Sequence, residues 1–268
     1  MENHYSLFVS DLDGTLLTSD NQISMRTRQS LDRYQKNGGM FTIATGRSLI
    51  ESYSIINELK IGLPVILCNG AMIYYPHDEE LQVLRYLSKH IVEMILSSIE
   101  NVDPVVDLLL FSTTNIYSFR LNPQKEIELS KLGITAFPID SINQMEEEII
   151  KLQLIGSPAN MQILHMISES YSLRAECEFI QSHENYYEVV PKGISKGNAL
   201  LYLNQILQIP TWQTAAIGNH LNDISMLKVA GLSASVANAH PLVKLYTDIH
   251  VPSNDADGVS YFIENYLL

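Results

Sequence analysis

The sequence predicts an α/β fold: a doubly wound parallel sheet into which a smaller α+β module is inserted. Two observations lead there. Over residues 1–80 and 191–268, short apolar runs closed by small or polar residues alternate with helical patterns. Over residues 81–190, strand-like runs follow one another with no helix between several of them.

The elements of the outer segments follow in order. Apolar runs of four to six residues read as strands buried in a parallel sheet. They are Ser6–Ser10 before Asp11, Met40–Ala44 before Thr45, and Val65–Cys68 before Asn69. Three more come near the C-terminus: Thr214–Ile217 before Gly218, Leu232–Val236 before Ala237, and Asp248–Val251 before Pro252. Ser24 can cap a helix that runs to Lys36 and stops at Gly38-Gly39. Ser48 can start another through Leu59. Ser195 can start a third, where Ala199, Leu200, Leu203, Ile206 and Leu207 keep the helical period. Asp223 opens a fourth, with Ile224, Leu227 and Ala230 on one face and Gly231 as the stop. Pro241 suits the first turn of a fifth. Val259, Phe262, Ile263 and Tyr266 mark the last helix. Ligands of such sheets sit at the carboxyl ends of the strands, so the polar residues closing each run are candidates for one shared site.

The middle predicts a helix over Lys89–Ile99, strands at Val105–Phe111 and Asn115–Phe119, and a helix over Pro123–Leu132. Ile134–Ile139 and Lys151–Ile155 follow as strand-like runs. A helix over Ala159–Tyr171 precedes strands at Leu173–Gln181 and Tyr186–Val190. Pro76–Glu80 and Pro191–Gly193 read as the linkers of this module.

Composition narrows the function classes. With 46% hydrophobic and 18% charged residues, the chain is that of a globular protein. No apolar run reaches the roughly 18 residues that a membrane span needs. Met1–Ser10 has no basic n-region, so it reads as the start of a strand, and the cytoplasm is the expected compartment. Cys68 and Cys177 lack the spacing of a zinc site and are expected as free thiols. The formal charge of −13 leaves no basic excess to neutralise a nucleic acid. A small phosphate ester remains compatible, provided that a cation accompanies it.

Asp11-Leu12-Asp13-Gly14-Thr15 is the sharpest motif. Two carboxylates at the end of a buried strand repel one another and lose hydration unless a cation joins them. With a divalent cation such as magnesium, one carboxylate can attack phosphorus. The other can protonate the leaving oxygen and later activate water. Gly14 frees the backbone to turn. The plainer alternative is a surface turn between strand and helix. Thr45 offers a hydroxyl donor at a strand end, or simply a helix cap. Lys196 offers a compact cation in a first helical turn, where a lysine is otherwise mildly unfavourable. Arg47 can contact substrate or pair with an acidic neighbour. Asn69 can bind substrate or close a turn, and His220 is assigned no role.

These residues resemble the haloacid dehalogenase-like superfamily. DLDGT at 11–15 is its first motif, and the remainder is similar to the Cof-type branch, which carries a type IIB cap on a Rossmann-like core. Ala44-Thr45-Gly46-Arg47 resembles the second motif and Asn69-Gly70-Ala71 the loop near the substrate. Pro191–Gly197 resembles the third, with Lys196 as the phosphate-binding lysine. Gly218–Asp223 resembles the fourth, and Asn254–Gly258 a late loop of the branch. The resemblance implies a core at 1–80 and 191–268, with the cap at 81–190 closing over it. It implies a magnesium-dependent phosphatase acting through an aspartyl-phosphate. Asp11 is then the nucleophile and Asp13 the acid and base. Leu12, Thr45, Gly46, Arg47, Asn69, Lys196 and Asn222 hold the phosphoryl group or substrate. Magnesium falls to Asp11, the Asp13 carbonyl and Asn219, with Asp223 behind.

The chain departs from that pattern at Asn219, where the fourth motif usually has an aspartate. An amide oxygen can coordinate a hard cation but brings no charge, so a lower affinity is expected. Two other function classes stay open. One is a phosphomutase, which returns the phosphoryl group to a second sugar position. The other is a binding module that senses a phosphorylated metabolite without turnover. The oligomeric state is not legible in the sequence.

Overall fold

In the computed structural model, which describes residues 5–100, 106–131, 133–183 and 185–268, the chain divides into two units. The expected strand start at Val105, the expected helix end at Leu132 and residues 1–4 lie outside the described residues. The first unit comprises the residues up to Gly46, Ser54–Gln82 and Ser195–Leu268. The second comprises Arg47–Tyr53 and Val83–Ile194.

A five-stranded parallel sheet organises the first unit. Its strands lie in the order Ile249–Val251, Leu232–Val236, Thr214–Gly218, Leu7–Ser10 and Met40–Ile43. The chain starts at Leu7–Ser10, steps one way to Met40–Ile43, and later steps the other way from Thr214–Gly218. That reversal is the doubly wound topology. Right-handed crossovers then put helix Met25–Lys36 and helix Ile224–Val229 on opposite faces. Phe8 is fully buried and meets the rings of Tyr34, Phe41 and Phe262 at centroid distances of 6.2, 5.4 and 5.8 Å. Ser24 caps the first helix by accepting from the Thr27 N–H at 3.0 Å. The structure places the strand ends Asp11 and Asn219 on neighbouring strands at the switch point, where such sheets take ligands.

Four sequence readings need correction in this unit. Val65–Leu67 touches the parallel sheet through a single bridge, Ala44 to Ile66, and pairs antiparallel with Met72–Tyr75. The cause is local: Cys68, Asn69 and Gly70 all take positive φ, at 49°, 56° and 100°, which turns the strand straight back. Residues 76–79, expected as a linker, form the turn between Met72–Tyr75 and Glu80–Val83. Tyr266 is exposed and Leu267 is buried instead, because residues Ile263–Leu267 wind wider than an α-helix. In helix Ile224–Val229 the buried pair is Met226 and Leu227 rather than Ile224 and Ala230.

The second unit holds a six-stranded sheet in the order Cys177–His183, Tyr186–Pro191, Lys151–Ile155, Asp107–Phe111, Ile116–Arg120 and Ala136–Pro138. Its pairs are antiparallel except the last. Leu108, Leu110, Leu152, Leu154 and Val189 pack with Ile91, Ile95, Met161 and Leu164 of helices Lys89–Glu100 and Pro158–Ser168. Leu109, Phe111, Ile116 and Ile155 cluster with Leu129 and Ile134. The strand expected from Leu173 begins only at Cys177. Tyr171–Glu176 is a short helix with Leu173 as its sole buried residue, so no alternation of buried and exposed positions supports a strand there.

Candidate active site

The site grows from the switch point of the parallel sheet. Asp11 extends the ladder past Ser10, its N–H donating to the Ile217 carbonyl at 3.0 Å. The chain then opens into a wide turn over Leu12–Leu16, closed by the Leu17 N–H on the Leu12 carbonyl at 3.0 Å. Gly14 sits there at φ 71°, and a Cβ in its place would stand 2.5 Å from Asn219 Nδ2. The fold buries Asp11 and leaves Asp13 exposed. Leu12 is buried completely.

Lys196 connects the chemistry of two distant segments. It opens helix Lys196–Leu207, whose cap is Ser195. Its ammonium group is wholly buried and donates to Asp11 Oδ1 at 2.6 Å and to Asp223 Oδ1 at 2.6 Å. Asp223 is itself buried, and its Oδ2 accepts the N–H groups of Asn219 at 2.8 Å and His220 at 2.9 Å. Asp223 therefore shapes the 219–223 loop and anchors the lysine, rather than standing open to a metal. Asn219 Oδ1 accepts the Thr15 hydroxyl at 3.1 Å.

Burial, first of all, pushes the Asp11 carboxyl up to about 7; the Asp223 charge adds to this, and Lys196 pulls the other way. Burial alone would lower Lys196, but Asp11 and Asp223 outweigh it and hold its pKa above the ordinary lysine range. The cause is one of number. Asp11 and Asp223 share a single buried ammonium and the Asp13 charge acts on Asp11 as well, so the cluster is short of positive charge. That shortage is what a divalent cation would relieve, and the donors present fit one. Among the described residues no group of three His, Cys, Asp or Glu side chains gathers as a cage. Magnesium does not need one, since it is commonly held by one or two carboxylates together with waters and substrate phosphate.

The other candidates assemble on the adjoining strand ends. Thr45 is buried, with its N–H on the Ile66 carbonyl at 2.9 Å, and its own carbonyl accepts the Asn69 N–H at 2.9 Å. Asn69 is buried at left-handed φ, and its Oδ1 accepts Asn222 Nδ2 at 3.0 Å. Gly70 allows this loop to reach helix Lys196–Leu207, because a Cβ there would stand 2.5 Å from the Ser195 carbonyl oxygen. Gly46 follows Thr45 at the end of its segment of the first unit. Arg47 is the exception: it belongs to the second unit, where its Nη1 donates to the Glu51 carbonyl at 3.4 Å. Two residues that touch this machinery were not read from the sequence. Thr15 lies within the first motif, but nothing in the sequence announced its bond to Asn219. Asn238, which donates to the Gly14 carbonyl, follows the buried run Leu232–Val236; a polar residue just past a strand end was the available signal.

The profile of the haloacid dehalogenase-like hydrolases matches residues 8–263. The chain belongs to this family. Among its haloacid dehalogenase-like relatives, phosphatase YwpJ of Bacillus subtilis is 29% identical, over 97% of this chain and 99% of its own. A solved haloacid dehalogenase-like hydrolase from B. subtilis superposes with a TM-score of 0.85 at 26% identity, covering 98% of this chain and all of that one. A subclass IIB sugar phosphatase of the superfamily shares the fold, inserted unit included, with a TM-score of 0.83 at 23% identity, over 97% and 98% of the two chains.

The raised Asp11 gives a pH prediction for the metal-free protein. In the unfolded chain Asp11 loses its proton near 3.8, whereas in the folded chain it keeps the proton to about 7. Its contribution to stability is therefore largest below about 4, is lost as pH rises to about 7, and stays flat above. Urea unfolding between pH 4 and 8 should show this fall. The same series on Asp11→Asn should be flatter, and parallel curves would refute the shift.

Proposed function

We propose that this chain is a magnesium-dependent phosphatase of small phosphate monoesters, with Asp11 as nucleophile. The observation that carries the reading is the buried Lys196, bonded at once to Asp11 and Asp223. A wholly buried ammonium fastened to one oxygen of a strand-end carboxylate is costly as scaffolding. It is useful where a phosphoryl group must be met by fixed positive charge. Membership of a hydrolase family and relatives named phosphatases support the same reading.

In this mechanism Asp11 attacks phosphorus in line with the leaving oxygen, and Asp13 gives that oxygen its proton. Asp13 then takes a proton from the water that opens the aspartyl-phosphate on Asp11, and inorganic phosphate leaves. Lys196, the Thr45 hydroxyl, Asn222 and the backbone N–H groups of Leu12 and Gly46 hold the phosphoryl oxygens. Asn69 supports Asn222. Asp11, the Asp13 carbonyl and Asn219 would hold magnesium, which when bound neutralises charge on the transferring group. The substrates we propose are sugar phosphates, nucleotides or cofactor phosphates.

Two buried free cysteines, Cys68 and Cys177, support a reducing compartment, and we place the enzyme in the cytoplasm. Among the described residues no helix is long and apolar enough to cross a membrane.

The test is a panel of phosphorylated metabolites, each with and without magnesium, on wild type and Asn219→Asp. If Asn219 is a metal ligand, the variant adds a charge to the cation's own shell. It should then need about tenfold less magnesium for half-maximal rate, the equivalent of about 1.4 kcal/mol. An identical magnesium dependence would take Asn219 out of the metal shell. No turnover by either protein across the panel would favour a phosphometabolite sensor built on a neutralised metal site.

A further inference from the structure

The loop Asn254–Gly258 is singled out by its sequence but has no part in the chemistry above. In the structure it fastens the segment that carries Asp13. Asn238 Nδ2 donates to the Gly14 carbonyl at 2.8 Å, and Asn238 Oδ1 accepts the Asn254 N–H at 3.1 Å. Asn254 is buried and turns its own Nδ2 to the Leu17 carbonyl at 2.9 Å. The wide turn is thus held at its middle and just past its end by one asparagine pair. Further along, Asp255 accepts the Ser19 N–H at 2.7 Å and the Ser19 hydroxyl at 2.6 Å. Asp257 accepts the Ser24 hydroxyl at 2.5 Å.

This clasp answers a need created by exposure. Asp11 is fixed by burial and by Lys196, whereas Asp13 is exposed and sits on a turn with a left-handed glycine next to it. Burial does not hold its carboxyl group, so the place of that group depends on the backbone that carries it. A general acid has to stand within hydrogen-bond reach of the leaving oxygen, and about 1 Å of misplacement can cost on the order of 100-fold in rate. The carbonyl held by Asn238 belongs to the residue directly after Asp13.

We propose that Asn238 is a positioning residue for proton transfer by Asp13, with Asn254 and Asp255 completing the clasp. The inference rests on the assignment of Asp13 as acid and base made above. It predicts a loss that depends on the leaving group. p-Nitrophenol leaves without help from a proton, whereas phenol needs one.

The experiment compares p-nitrophenyl phosphate with phenyl phosphate on the full-length protein. Asn238→Ala should lose about tenfold more kcat/KM on phenyl phosphate than on p-nitrophenyl phosphate. In an Asp13→Asn background the same substitution should open no such gap. Amide hydrogen exchange over residues 14–19 should quicken in Asn238→Ala, a readout independent of turnover. Asp255→Asn, a change at an exposed position, should show both effects in weaker form and serves if Asn238→Ala does not fold. Equal losses on both esters, or a gap that persists without Asp13, would overturn positioning through Asp13. Unchanged exchange would overturn the clasp itself. If exchange quickens but Asp13→Asn shows no leaving-group gap of its own, the acid–base assignment has failed, and the positioning role falls with it.

Discussion

Asp11→Asn is expected to lower turnover by roughly 10⁴-fold or more while the protein stays folded. The amide nitrogen of asparagine has no lone pair free to attack phosphorus, and its carbonyl oxygen cannot form a stable acyl-phosphate. The side chain keeps its shape, so the amide oxygen of the variant can still accept from Lys196, and the lysine keeps Asp223 as its second partner. Binding of a phosphate ester should survive or tighten, because one negative charge facing the phosphoryl group is gone. The metal-free variant should also be more stable than wild type near neutral pH, since the buried carboxyl that resists ionisation has been removed. Steady-state rates with magnesium, calorimetric binding of a phosphate ester and urea unfolding read the three effects. Ordinary turnover by the variant would remove Asp11 as nucleophile.

The parallel core was legible because its local signals and its topology agree. Each buried run ends in a polar residue, and Ser24 and Ser195 cap helices where the pattern changes period. That Asp11, Asn219 and Asp223 gather at one edge follows from strand ends in a doubly wound sheet, which sequence can anticipate. What it could not anticipate are events that depend on one torsion or one distant partner. Three consecutive positive-φ residues at 68–70 turn Val65–Leu67 into a hairpin arm; Asn69-Gly70 carried a turn signal, but nothing in Cys68 announces a positive φ. The winding of Ile263–Leu267 shifts the buried face from Tyr266 to Leu267, an irregularity with no compositional mark. The run Tyr171–Glu176 is short enough to read as a strand by hydrophobicity alone, and its helix formers Leu173, Arg174, Ala175 and Glu176 were the better guide. Within the site, residues 204 apart meet in the Thr15–Asn219 bond and residues 224 apart in the Asn238–Gly14 bond. Neither belongs to a spacing that a motif records. Arg47 shows the converse. Its place two residues after Thr45 gave no sign that the chain passes from one unit to the other between Gly46 and Arg47.

Lys196→Met should cost the metal-free protein about 3–5 kcal/mol near neutral pH, because it removes the common partner of two buried carboxylates. Methionine is of similar length and fills the space, so the loss reports charge rather than a cavity. Without the ammonium, the pull that now lowers Asp11 is gone, and its carboxyl would rise further above 7 than burial and Asp223 already drive it. A carboxyl raised in the folded state costs stability only up to its folded value, and below about 7 both proteins keep the Asp11 proton, so the deficit of the variant should be level below about 7 and widen above it. Magnesium should narrow it as well, by returning positive charge to the same cluster and by binding only the folded chain. Turnover should fall with the loss of a fixed cation facing the phosphoryl group, by about 10² to 10³. Urea unfolding at pH 6 and 9, with and without magnesium, separates these effects. A deficit that does not depend on pH would mean that Lys196 stabilises by packing alone. A variant as stable and as active as wild type would show that the Asp11–Lys196–Asp223 bridge serves neither the fold nor the chemistry.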